Sequence, residues 1–232
     1  MFDKRCYDKE LLDAESIDTI ALHRNLYELD IINSWLGGHA ISISGIKKVL
    51  QRISKPQVKI IDVGCGGGDN LRAISKYFRQ SNIAVCLTGA DLKQDCIHYA
   101  RKNSLDHPVI DFVCDDFRNV LTEQIDIVHA ALFFHHFSEQ EIANFLSLTH
   151  RMGCYIVIND LERNPISCYA IAILTKLFSK SYLVKNDAPL SVRRGFKKQE
   201  WKAILKLAGI ENYTLSNRWA FRHLIITYPN GK

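Results

Sequence analysis

Apolar positions recur three and four apart through "ESIDTIALHRNLYELDIINSWL" (15–36), the spacing of one helix face. "LGGH" (36–39) breaks that run. A second helical stretch, "ISGIKKVLQRI", leads to Pro56, so residues 8–55 read as helical. From residue 58 the pattern changes to short apolar runs alternating with amphipathic ones. "VKIIDVG" reads as a strand running into glycines, and "DNLRAISKYFRQ" as a helix with an acid at its start. "IAVCLTGADL" is a second strand, "KQDCIHYARKN" a helix, "PVIDFVCDDF" a third strand and "QIDIVHAAL" a fourth. Ser138 with Glu141 three residues on is a capping box for a helix reaching about Arg151. "CYIVIND" is a fifth strand.

Strands alternating with helices predict an α/β fold, a doubly wound and mostly parallel sheet with helices on both faces. Near-continuous apolar strands agree, because such a sheet is buried on both sides. Right-handed crossovers bring every strand's C-terminal end to one edge, where doubly wound sheets bind ligands. The glycines of "IIDVGCGGGDN" (60–70), Asp91, Asp115, Asp116 and the segment after Leu132 all fall on that edge. Residues 164–195 interrupt the alternation. "ISCYAIAILTKLF" is apolar and helical in pattern, "KNDAPLSVRRGF" reads as a loop, and "KKQEWKAILKLAG" reads as a helix closed by Gly209. "NYTLSNRW" and "FRHLIITY" end the chain as an antiparallel strand pair. The division expected is a helical N-terminal extension over 1–55 and a core over 56–232, with 164–195 inserted as a lid.

Composition narrows the class. The chain has 232 residues, 47% of them hydrophobic and 24% charged, with a net charge of +5, which suits a globular domain. No apolar run approaches the roughly 20 residues of a membrane span. The charged start "MFDKRCYDKELLDAES" does not read as a secretory signal. Seven cysteines form no Cys-x-x-Cys pair, so they read as buried thiols of a reduced, cytoplasmic protein rather than as a disulfide or metal framework. No metal is expected. Nine Lys or Arg lie between Lys176 and Lys206 against only Asp187 and Glu200. This is a solvated basic face, or a surface for an acidic ligand or nucleic acid.

The glycine loop discriminates among nucleotide ligands. In a G-x-G-x-x-G fingerprint, Gly64 and Gly66 supply two positions but the third is Asp69, whose charge at a helix start would repel a pyrophosphate. No Gly-Lys pair follows, so a phosphate loop is absent as well. The spacing Asp62-x-Gly64-x-Gly66-x-Gly68 instead resembles motif I of the class I S-adenosylmethionine-dependent methyltransferases, and the likeness runs from about 56 to 161 plus the closing strand pair. It implies a seven-stranded Rossmann-like sheet and S-adenosyl-L-methionine as cofactor. It implies that Asp62 orients the methionine part, and that Gly64, Cys65, Gly66 and Gly68 carry the chain beneath the ligand. Asp91, with Leu92 beside it, binds the ribose hydroxyls. Asp116, with Asp115 as the alternative, and the Phe117 backbone meet the adenine; Ala131 ends strand four beside the cofactor.

Several branches of that family are excluded after strand four. "AALFFHHF" carries neither the Asn/Asp-Pro-Pro-aromatic of amino-methylating DNA enzymes, nor a Pro-Cys pair, nor the acids of the cation-dependent catechol type. "LFFHHF" resembles the small-molecule branch, the quinone-biosynthesis and natural-product tailoring enzymes. His135 and His136 are the candidate bases, since a histidine accepts a proton near neutral pH, although a structural role at a helix entry fits them equally. Neighbouring residues on a helix diverge by about 100°, so one of them, His135 in preference, is expected to face the acceptor. The flanking segments imply an acceptor lid. Trp35, His39 and Tyr169, with Phe178, suggest a hydrophobic or phenolic small molecule, with oxygen slightly favoured over carbon as the methylated atom. Arg193 and Arg194 suit an acidic group on it. The apolar 166–178 helix is otherwise core or a homodimer face. A nucleic-acid methyltransferase using 176–206, and a non-catalytic cofactor-binding protein, are the alternatives.

Overall fold

The computed structural model describes residues 2–81, 83–121 and 124–229. Seven strands make one sheet: β1 (Gln57–Val63), β2 (Ala84–Asp91), β3 (Ile110–Cys114), β4 (Ile127–Ala131), β5 (Tyr155–Leu161), β6 (Tyr213–Arg218) and β7 (Arg222–Thr227). Their order is β3-β2-β1-β4-β5-β7-β6. Strand β7 lies antiparallel between β5 and β6; the pairings among β1 to β5 are all parallel. The sheet is the doubly wound, mostly parallel one expected.

Alternation along the strands builds two cores. Val58 and Ile60 of β1, with Tyr155 and Val157 of β5, face α2 (Gly38–Leu50), α3 (Asp69–Arg79) and α4 (Gln94–Lys102), meeting Ile46, Val49, Leu71, Ile74 and Ile97. Ile61 and Val63, with Ile156 and Ile158, face the opposite side. There α6 (Glu139–Arg151) and α9 (Lys198–Leu207) bring Phe145, Leu146, Trp201 and Ile204. Because side chains point alternately up and down, a strand buried on both faces carries runs of consecutive apolar residues, as Ile60–Ile61 of β1 and Tyr155–Ile158 of β5 do. The Ser138–Glu141 capping box forms as expected.

Three further helices gather over the C-terminal edge. Helix α1 (Thr19–Trp35) packs on α4 and on α8 (Tyr182–Arg194), and α7 (Pro165–Phe178) packs on α8; the single turn Phe117–Val120 is α5. Helix α8, with Pro189 inside it, corrects the expectation of a loop at 185–196. A proline inside a helix removes one hydrogen bond and crowds the preceding turn. Tertiary contacts override that cost. Asp187 accepts the Leu11 and Leu12 N–H groups at 2.9 Å each, Ser191 Oγ donates to Glu10 at 2.8 Å, and Leu183, Val184 and Val192 are buried. The helical N-terminal stretch is also less complete than its pattern suggested, with residues 2–10 running outside any helix. Among the described residues no helix is long and apolar enough to cross a membrane.

Candidate functional site

The turn after β1 is shaped by backbone conformation. Gly64, Gly66 and Gly68 have φ of +66°, +51° and +72°, a region costly for residues with a Cβ. At Gly64 a Cβ would lie 2.1 Å from the Phe133 ring, so space and conformation both demand glycine. Replacing Gly64 with Ala should therefore cost roughly 1–3 kcal/mol, the scale of a strained backbone position or a local clash. A denaturant titration checks it; an unchanged midpoint would show that the loop relaxes freely.

This loop lines a cavity of about 350 Å³ with Asp62, Cys65, Asp91, Leu92, Asp115, Asp116, Phe117 and Ala131. The residues expected around a cofactor thus converge in space, with one exception. Gly68 caps α3 and faces Phe112 and Ala100 instead. Asp91 accepts the Gly66 N–H and the Lys93 N–H, each at 2.9 Å. Burial pushes its carboxyl up from the usual range, partly offset by those two bonds. Asp62 is fully buried and bonds His129 Nδ1 at 2.7 Å. Burial raises its pKa too, against the pull of His129. Asp116 caps α5 and is held by the Arg118 guanidinium, while Asp115 accepts from Asn119 at 2.9 Å. Asp115 and Asp116 are therefore already engaged by their own neighbours.

A smaller cavity of about 130 Å³ adjoins the first, and Leu12, Leu29, Leu132 and His136 line both. Leu132 has φ +52°, an uncommon conformation for a branched side chain and one that recurs at functional sites. Both histidines line the smaller cavity, because the segment Phe134–His136 is a tight 3₁₀ turn with the two rings 4.3 Å apart. The expectation that only one would face the pocket is corrected. His135 Nδ1 bonds Asp160 Oδ1 at 2.8 Å. Burial acts to raise the Asp160 pKa, but His135 and the Leu161 N–H outweigh it and hold the carboxyl below its usual range. An ionised carboxylate only accepts, so His135 Nδ1 carries the hydrogen and Nε2 keeps its lone pair. His136 Nδ1 stands 3.0 Å from Asp13 Oδ1.

The residues expected to meet the acceptor do not gather in this cavity. Trp35 and Tyr169 are 81% and 62% exposed. They point to solvent because the cavity-facing positions of their helices are Ile32 and Leu36, and Ser167 and Ile171. His39 bonds Asp69 at 2.8 Å, beneath the glycine loop. Arg193 and Arg194 lie in the last turn of α8 rather than in a loop. Arg194 is buried and donates to the carbonyls of His135 and His136 at 3.2 Å each, so it props the histidine turn. Arg5 does the same from the N-terminus, donating to the carbonyls of His135, Phe137 and Arg194. Glu10, Asp13, Asp69, Asn33 and Asp160 went unanticipated as site residues. Only Asp160, ending strand five, had a positional signal.

The sequence matches a protein-family model described as a methyltransferase domain over residues 60–152, which spans the glycine loop, Asp91, Asp115, Asp116 and the histidine turn. Over those residues the chain is similar to that methyltransferase domain. A carboxy-S-adenosyl-L-methionine synthase from Actinobacillus succinogenes is 27% identical over 120 residues, 49% of this chain and 48% of that protein. The chain spans about half the length of that curated relative. Among solved structures, the plantazolicin methyltransferase BpumL in complex with SAH superposes with a TM-score of 0.65 at 19% identity, over 91% of this chain and 95% of that one. Human N-acetylserotonin methyltransferase in complex with SAM gives 0.63 at 18%, over 91% and 56%. At such identities the likeness is one of fold, and in this fold the glycine loop and histidine turn occupy the C-terminal edge of the sheet.

Proposed function

We propose that the chain transfers a methyl group from S-adenosylmethionine to a small, apolar acceptor bearing an ionisable oxygen, such as a phenol. The single observation that carries this reading is the pair of adjoining cavities, one acidic and one apolar, with His136 in their shared wall. The donor set of the larger cavity fits a sulfonium nucleoside. Six carboxylates line it, and its two cations are engaged elsewhere, Lys93 with the Ala14 carbonyl and Arg118 with Asp116. A pyrophosphate would find repulsion there; a cation and a diol find partners. Asp91 would take the ribose hydroxyls, and Asp62 and the glycine loop would seat the amino-acid end.

When bound, S-adenosylmethionine supplies an electrophilic methyl group; positioning does most of the rest. Leu12, Leu29, Ile32, Leu36, Ile171 and Val184 make the smaller cavity apolar and exclude water. Asp160 holds the His135 ring so that Nε2 can accept a hydroxyl proton. Both imidazoles line the smaller cavity, which supports an acceptor that gives up a proton on methylation, as a phenolic hydroxyl does. Incubating the chain with S-adenosylmethionine and a panel of phenols tests the reading: S-adenosylhomocysteine should accumulate together with a methyl ether. Cofactor binding without turnover on any oxygen or carbon acceptor would overturn it.

A further inference from the structure

Glu10 is far from His135 and His136 along the chain, yet their ligand-capable atoms all lie within 4.8 Å of one another. His135 Nε2 stands 3.6 Å from Glu10 Oε1, and His136 Nε2 stands 3.9 Å from Glu10 Oε2. No hydrogen bond joins the three. Each imidazole is meanwhile fixed through its other nitrogen by a carboxylate, His135 by Asp160 at 2.8 Å and His136 by Asp13 at 3.0 Å. A carboxylate behind each ring is the arrangement that orients histidine ligands and raises their basicity.

We propose that Glu10, His135 and His136 form a divalent-metal site in the wall of the smaller cavity, suited to a borderline ion such as Zn²⁺. Zinc binds nitrogen and oxygen ligands at about 2.0–2.1 Å in a tetrahedron, which puts neighbouring ligand atoms about 3.3 Å apart. The two imidazoles approach different oxygens of Glu10, at 3.6 and 3.9 Å, and all three ligand atoms lie within 4.8 Å, so a small inward rotation of the side chains would close the set around an ion. Charge fits as well. Glu10, Asp13 and Asp160 lie against the two imidazoles, Arg194 stands 3.8 Å from Glu10 and 3.1 Å from Asp13, and Arg222 lines the same cavity, while Arg5 is shared with Glu139. With neutral imidazoles, these three carboxylates against two guanidinium groups leave one negative charge for a divalent cation. The only other such cluster among the described residues, Asp30, His39 and Asp69, is already closed by hydrogen bonds. His39 and Asn33 bond Asp69, and Arg72 bonds Asp30.

Three protein ligands leave a fourth position, and all three line the cavity. That position suits an anionic oxygen of the acceptor, a phenolate, enolate or carboxylate. This consequence rests on the reading of the cavity as the acceptor pocket; the site itself does not. With the ion in place the histidines would hold it rather than take the proton.

Titrating ZnCl₂ into the metal-stripped full chain by calorimetry, and CoCl₂ by visible absorption, tests the site. One equivalent should bind, with the intense bands of four-coordinate cobalt. Glu10→Gln and His136→Gln should each weaken zinc at least about 100-fold, and Asp13→Asn, behind the ring, about 10- to 100-fold. His39→Gln should change nothing. Thermal melts confirm that each variant folds, and Asp13→Asn keeps the test open should a ligand variant unfold. Absence of binding by the unaltered chain, or binding unchanged in the folded Glu10→Gln or Asp13→Asn chain, overturns the proposal. S-adenosylmethionine titrated into the same metal-free sample separates the two readings. Cofactor binding without zinc defeats the metal site alone; zinc binding without cofactor defeats the methyl-transfer reading alone.

Discussion

Asp91→Ala is expected to weaken S-adenosylmethionine binding roughly 10- to 150-fold. The figure is about 1.5–3 kcal/mol, the worth of hydrogen bonds to a charged group, converted to affinity. Asp91 already ties the Gly66 N–H and the Lys93 N–H together, so removing its carboxylate also loosens the turn that would cradle the ligand. Asp91→Asn separates the two effects, because its amide oxygen can still accept an N–H while the charge is gone. Calorimetric titration of both variants checks the assignment, and unchanged affinity in both would sink it. The raised pKa adds a sign. Burial favours the neutral acid of Asp91, whereas hydroxyl donors favour the carboxylate. Affinity should therefore fall with decreasing pH sooner than it would for an ordinary aspartate, and binding near that pH should release protons.

His135→Gln is expected to lower kcat about 10²–10⁴-fold, the usual contribution of a positioned base, with little effect on the cofactor's KM. His135 lines only the smaller cavity, which is why the two constants should separate. Glutamine can still bond Asp160 but cannot take a proton, so the acidic limb of the pH–rate profile should vanish. A metal-ligand role predicts the same fall in kcat. Wild-type turnover in the variant would mean that proximity alone carries catalysis and that the Asp160–His135 pair is structural.

The strand–helix alternation from residue 58 onward was readable because it depends on local periodicity. A buried parallel strand is apolar throughout, and its connecting helix shows one apolar stripe. Once the strands are in order, handedness brings their ends together, so Asp62, Asp91, Asp115, Asp116 and the histidine turn could be placed on one edge before any coordinate. The glycine turn was readable for the same reason, since the conformations of Gly64 and Gly66 are properties of the loop itself.

What closes over that edge was not readable. Glu10 and Asp13 meet His135 and His136 across more than 120 positions of chain, and Arg5 and Arg194 hold the same turn from the two sides. Such contacts have no period and no motif; they exist only because α8 and the N-terminal segment are buried against each other, with Asp187 accepting the N–H groups of Leu11 and Leu12. That packing also made Pro189 part of a helix, turned Arg194 inward and left Trp35 and Tyr169 in solvent. The amino-acid sequence by itself determined the sheet, its ligand edge and the acids along it, through interactions a few residues long. Tertiary structure alone decided which side chains face the smaller cavity, because those positions follow from the burial of elements distant in the chain.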